Sequence, residues 1–410
     1  MWFPKEGGVL IFLWATWIAV SAIVDEIEEV TWCVLSDAEQ AKCLDFASNL
    51  TDQDIVETFH CVRGRSTVDC MRKIQLGLAD AVTLDGGDIY TAGRCFGLQP
   101  VAGEFYGTGG GTKYYAVAVS KKSNQDIFWN GLQSRTSCHT GMGRTAGWIV
   151  PIGSLVTTNQ LLVENCDILT AVGNFFNQSC VPGIKSSKYN LGGTFPENLC
   201  KSCIGDETGA NVCANGPQER YFGYSGAFRC LAENSGDVAF IRHSTVFENT
   251  DGRNQEPWAI NLKADEFMLL CPNNSTAEIH QYRHCHLASV PSHAVVVKPE
   301  LKEAFSHFLN ESQNEFGPQS DSVFKMFSSI GYGGKDLLFH DDTIRLVYIP
   351  GNYLSWLGQR YIDIQRTFEC QVVNLLGGST KFFGQSLKLP ARIILLPENK
   401  DPVVSGDFPE

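Results

Sequence analysis

This sequence has no surplus of positive charge. Its 410 residues include 32 Lys and Arg against 45 Asp and Glu, a formal net charge of −13. That balance argues against nucleic acid or an anionic membrane surface as partner, because both select for basic patches. Cations or basic partners fit better. Beyond its first thirty residues the chain also lacks any apolar run of the roughly eighteen residues a membrane helix needs, so no later span is expected. Internal repeats and low-complexity tracts are missing. Enzyme signatures are missing as well. Gly107-Thr-Gly109-Gly110-Gly111-Thr112 lacks the third glycine of a dinucleotide fingerprint and precedes a strand-like segment, so it reads as a turn. Tyr224-Ser225-Gly226 lacks the glycine two residues before serine that a nucleophile elbow requires, and there is no His-Glu-x-x-His metal motif. No enzymatic role is expected.

What is present points to the exterior of a cell. Lys5 precedes an apolar run at 9–20, and the small residues Ser21 and Ala22 precede acidic Asp25 and Glu26. A dozen apolar residues suit a signal-peptide core, so residues 1–22 are expected to be cleaved and the mature protein to be soluble and secreted. The tail beyond Cys370 has only a short apolar run at 391–396 before charged residues, which is not a lipid-anchor signal. Residues 371–410 are expected to form a poorly ordered extension with one packed strand near Ile393. Fifteen cysteines suit an oxidising compartment, and an odd count leaves one over. Cys200-Lys-Ser-Cys203 is read as disulfide material over a redox or zinc motif for the same reason. Five N-x-Ser/Thr triplets, at Asn49, Asn177, Asn273, Asn274 and Asn310, have the pattern of N-glycan acceptors, with Asn273 and Asn274 overlapping.

About 385 mature residues exceed what one core organises, so two or more packed units are expected. Strand-like runs at 115–120 and 294–297 alternate with helical patterns, which favours an α/β architecture. Leu301, Ala304, Phe305, Phe308 and Leu309 follow helical spacing behind Pro299 and predict a core-facing helix. Polar stretches at 181–195, 204–217 and 249–256 read as loops. One segment carries chemistry: Thr140-Gly-Met-Gly-Arg144 places a hydroxyl, a flexible backbone and a guanidinium just ahead of a helix start. Backbone N–H groups there attract anions, and arginine grips a planar oxyanion with two hydrogen bonds. A plain loop with a cap is the alternative.

The motifs Thr83-Leu-Asp85-Gly-Gly87, Tyr114-Tyr115-Ala-Val-Ala-Val119, Ser137-Cys-His-Thr-Gly141, Tyr221-Phe-Gly-Tyr224-Ser-Gly-Ala-Phe-Arg-Cys230, Gly236-Asp-Val-Ala-Phe240 and Cys285-His-Leu-Ala-Ser-Val-Pro-Ser-His293 resemble those of the transferrin family. The likeness runs from about Val30 to Cys370 and implies a single lobe of two α/β subdomains, of the periplasmic-binding-protein type, around a metal cleft. Subdomain 1 would comprise 27–114 and 291–370, and subdomain 2 would comprise 115–290. The resemblance implies one ferric ion held by Asp85, Tyr114, Tyr224 and His293. It implies a synergistic carbonate held by Thr140, Arg144 and the backbone of Ala146 and Gly147. A hard trivalent cation favours anionic oxygen and displaces phenol protons, and with carbonate and Arg144 included the charges nearly cancel.

The family's disulfides map as Cys33–Cys70, Cys43–Cys61, Cys138–Cys230, Cys166–Cys370, Cys180–Cys203, Cys200–Cys213 and Cys271–Cys285, leaving Cys95 unpaired and either buried or available for an intermolecular bridge. Where serum transferrin N-lobes have a lysine pair as a release trigger, this chain has Arg242 and His340. Histidine side chains charge between roughly pH 7 and 5, so repulsion between this pair is expected to favour opening. Two functions are carried forward. One is ferric-ion and carbonate binding. The other, also implied by the resemblance, is a structural glycoprotein role among the components of a calcified extracellular matrix.

Overall fold

A computed structural model describes residues 27–106, 111–186 and 194–369. The expected leader at 1–22, the extension at 371–410 with its strand near Ile393, and most of the glycine turn at 107–112 lie outside the described residues.

Three sheets organise the described residues. Glu29–Val34 pairs in parallel with Thr58–Arg63, joined by the helix Asp37–Asp52, whose first turn is capped by the Ser36 hydroxyl accepting from the Glu39 amide. A four-stranded antiparallel sheet has the order Thr343–Tyr348, Gln99–Tyr106, Ala294–Val297, Val82–Leu84. The third sheet has seven strands, with Lys113–Lys121 at its centre, flanked by Val238–Arg242 and Phe267–Leu270. Ala116 to Val119 are all buried, because both faces of this strand are covered and an uninterrupted apolar run is what such a strand requires. The expected helix is present as Lys302–Phe316, preceded by a short 3-10 turn at Pro299–Leu301. It buries Phe305, Phe308 and Leu309 in a core with Trp32, Phe46 and Phe59.

The chain passes between the four- and seven-stranded sheets at two places. One crossing separates Gln99–Tyr106 from Lys113–Lys121. The other is Ser292–His293, between Ala288–Pro291, which pairs with Lys113–Ala116, and Ala294–Val297. Tyr114 and His293 therefore line one cavity although their numbers differ by 179. Disulfides join Cys33–Cys70, Cys43–Cys61, Cys138–Cys230, Cys180–Cys203, Cys200–Cys213 and Cys271–Cys285. Cys370 of the remaining expected pair lies outside the described residues. Cys95 is free and half-buried, and burial pushes its thiol up to about 11. No helix among the described residues is long and apolar enough to cross a membrane.

Candidate metal and anion cleft

A cavity of about 600 Å³ is lined by Asp85, Tyr114, Tyr224 and His293 together with Arg144, Arg242 and His340. Each comes from a different local structure. Asp85 is the N-cap of the helix Gly86–Phe96, where its Oδ1 accepts from the Asp88 amide at 2.8 Å. One carboxylate oxygen is thus used by the fold and the residue stays exposed at the cavity wall. Tyr114 is the second residue of the central strand, and Tyr224 lies in the first turn of the helix Gly223–Ala232. The two phenols are near enough to influence each other's ionisation. Burial holds Tyr114 well above its ordinary pKa, with Tyr224, Tyr361 and Asp85 adding to the effect. Burial also raises Tyr224, while the Arg242 and Arg144 guanidiniums oppose the shift. Both are neutral phenols near pH 7 in this state.

His293 is held from one side. Its Nδ1 lies 3.1 Å from the Tyr106 hydroxyl and 3.9 Å from Glu104 Oε2. Glu104 is completely buried, accepts from the Thr343 hydroxyl at 2.8 Å and, more weakly, from the His340 amide. Lys42, also buried, donates to the Leu337 carbonyl at 2.7 Å. Burial lowers it to about 8 against the opposing pull of Asp341 and Glu104. Glu104 and Tyr106 escaped the sequence reading. The available signal was a lone acid in the otherwise uncharged strand Gln99–Tyr106, a position where a buried carboxylate needs partners.

The anion segment folds into a tight cradle. The strand Thr136–His139 ends at Thr140, Gly141 and Gly143 adopt φ +149 and +72, and a π-turn Thr145–Ile149 follows with Arg144 as its N-cap. A methyl group on Gly147 would lie 2.0 Å from the Thr140 hydroxyl oxygen, so only glycine permits this approach. Thr140 is fully buried and its hydroxyl has no partner. The first N–H groups of the turn, those of Ala146 and Gly147 included, have no carbonyl one turn earlier to receive them. Arg144 lines the cavity with its guanidinium 4.4 Å from the Phe222 ring centroid. An unbonded buried hydroxyl, free helix-start amides and a guanidinium within one short segment suit a small oxyanion; of these residues Arg144 lines the cavity, while Thr140, Ala146 and Gly147 lie buried behind it.

Arg242 and His340 line the same cavity, but each faces carboxylates. Arg242 bonds Glu248 at 3.0 Å and lies over the Tyr224 ring at 4.9 Å. His340 Nδ1 is 3.5 Å from Asp336 and 3.7 Å from Asp342, and its ring stacks on His293. Of the glycan candidates, Asn177, Asn273, Asn274 and Asn310 are exposed and Asn49 is partly so. Elsewhere among the described residues, Cys180, Cys203 and Glu219 bring metal-ligand atoms within 4.8 Å of one another. That cluster is a disulfide beside a carboxylate accepting from the amides of Ile204, Gly205, Cys213 and Tyr221, so its donors are already engaged.

A family model for transferrin matches residues 30–370. The chain is 47% identical over 366 residues to otolith matrix protein 1 of Danio rerio, an alignment covering 89% of this chain and 98% of that protein. It is 47% identical over 344 residues to melanotransferrin of Homo sapiens, covering 83% of this chain and 46% of the relative. Serotransferrin-A of Xenopus laevis is 40% identical over 388 residues, with 87% and 51% covered. Against those last two proteins the chain spans about half their length. With its mixed α/β sheets, disulfide-rich core and a family match over most of its length, the chain belongs to the transferrin family.

Proposed function

We propose that this protein is a secreted binder of one ferric ion with a synergistic carbonate, using Asp85, Tyr114, Tyr224 and His293 as metal ligands and Thr140, Arg144, Ala146 and Gly147 as the anion cradle. The observation that carries this reading is the convergence of two phenols, a carboxylate and an imidazole from separate segments on one cavity that also contains Arg144. Ferric iron is a hard acid that suits phenolate and carboxylate oxygen. Tyr114 and Tyr224 hold their protons before metal arrives, so uptake must expel both and affinity must rise with pH. Arg242 and Arg144 ease the loss at Tyr224. Tyr106 and Glu104 orient the His293 ring from its Nδ1 side, which leaves Nε2 as the ligating nitrogen. Carbonate between Arg144 and the metal would offset charge that the cleft otherwise buries.

The test is a titration of purified protein with ferric iron, with and without bicarbonate, following the visible phenolate-to-iron band. Saturation at one iron per chain that requires bicarbonate supports the reading. A missing band refutes it.

A second reading is favoured by the likeness to otolith matrix protein 1 over nearly that protein's whole length. In it, the chain is a structural glycoprotein of an otolith-type calcified matrix, with iron binding secondary or vestigial. Glycans at the exposed asparagines and the acidic surface suit that role, and retention of the protein in decalcified matrix would be its readout.

A further inference from the structure

Pro151 is the second residue of the helix Val150–Thr157. In an α-helix the carbonyl of Gly147 would accept from the amide of residue 151, and proline has none. The structure supplies a different donor. His139 Nδ1 lies 2.7 Å from the Gly147 carbonyl oxygen. A carbonyl only accepts, so Nδ1 carries the proton, and in a neutral ring Nε2 must then accept. Nε2 is 2.9 Å from the Ser137 hydroxyl, which is 2.7 Å from the Ser179 hydroxyl. The proton direction is thereby determined throughout: Ser179 donates to Ser137, Ser137 to His139, and His139 to Gly147. All four residues are fully buried or nearly so, and the imidazole packs among Trp148, Phe176 and Phe240. Burial holds the ring down to about 4, so it stays neutral at physiological pH.

We propose that His139 is a positioning residue for the anion cradle, replacing the backbone donor that Pro151 removes and so fixing the Gly147 peptide in the turn whose amides face the anion. This rests on the carbonate site proposed above. Gly147 also abuts Thr140, the neighbour of His139 in the chain, so the relay braces both walls of the cradle. A histidine serving only as core filler would be replaceable by any aromatic ring of similar size. A positioning histidine is replaceable only by a residue that donates at the Nδ1 position.

The experiment compares H139F, which keeps a ring but loses the donor, with H139N, whose side-chain amide nitrogen falls near the position of Nδ1. Two quantities are read: the bicarbonate concentration that half-forms the ferric complex, and hydrogen–deuterium exchange over residues 144–152 in metal-free protein. H139F is expected to raise the first about fivefold to tenfold and to speed the second, and H139N to stay within about twofold of wild type on the first, in keeping with loss and retention of one neutral hydrogen bond. P151A restores a backbone N–H, so H139F/P151A should recover part of the loss, a coupling that filler residues would not show. Wild-type values in H139F, or losses that neither H139N nor P151A relieves, overturn the proposal. Should H139F fail to fold, H139N against H139Q makes the same comparison, with H139Q expected to be impaired and equal behaviour of the two counting against the relay. If wild type forms no ferric complex, the iron reading falls, and the exchange measurement alone decides the role of His139.

Discussion

Metal-ligating side chains converge at two places in the described residues, and the two differ in how far their atoms are already committed. At Cys180, Cys203 and Glu219 the sulfurs are bonded to each other and the carboxylate accepts four backbone amides. In the cleft, Asp85 uses one oxygen as a helix cap and His293 one nitrogen toward Tyr106. Thr140 contributes a buried hydroxyl bonded to nothing. Residue type is the same signal at both places. Commitment separates a structural knot from a site, because a donor saturated by the fold has nothing to offer a ligand without breaking native bonds.

The largest effect expected from this contrast is at Tyr224. Y224F should weaken ferric binding by at least about a thousandfold, ~4 kcal/mol, through loss of an anionic ligand, and leave the thermal midpoint near wild type. Isothermal competition against a chelator checks the first and calorimetry the second. At the knot the pattern should invert: E219Q presents an amide group to backbone donors and should cost about 2–3 kcal/mol of stability while iron stoichiometry stays at one per chain. If E219Q instead lowered iron affinity at full stability, the two places would not be separable in this way.

Smaller effects sharpen the comparison. T140V removes a hydroxyl that has no partner in the metal-free protein, so denaturant unfolding should show equal or slightly higher stability. The bicarbonate requirement of the ferric complex should nevertheless rise about tenfold. A pH effect on the metal-free fold is independent of any ligand. Burial holds His139 and His243 down to about 4, with Arg242 contributing at His243. Unfolded histidines take up protons below roughly pH 6.5, so the stability these two residues contribute is present above that value. It is lost as pH falls toward 4, by about 1 kcal/mol per histidine over the first unit. Thermal midpoints measured from pH 7 to 5 check this, and H139N should show a shallower decline.

Much of the fold was legible before any coordinates. The strand-like runs at 115–120 and 294–297 and the helix behind Pro299 announced themselves through their apolar residues, and the first run lies inside the strand Lys113–Lys121. The ligand candidates could be named only through motif resemblance. Asp85, Tyr114, Tyr224 and His293 meet because the chain crosses twice between sheets, and no spacing rule along the sequence encodes that crossing. Resemblance also paired Arg242 with His340, yet Glu248 and the acids Asp336 and Asp342 face them, partners fixed by tertiary packing. Glu104, Tyr106 and His139 went unread for a related reason. Each acts through hydrogen bonds to residues distant in sequence or hidden by a turn, and only Pro151, a missing donor in a helix start, hinted at such a need.

The central claim is that the cleft holds two protonated phenols waiting for a metal. Ultraviolet difference spectroscopy during ferric titration in bicarbonate counts the tyrosines ionised per bound ion. The account predicts two per chain for wild type, one for Y224F at metal concentrations that force binding, and none for Y114F/Y224F. Ferric binding without tyrosine ionisation, or undiminished binding in the double variant, would contradict it.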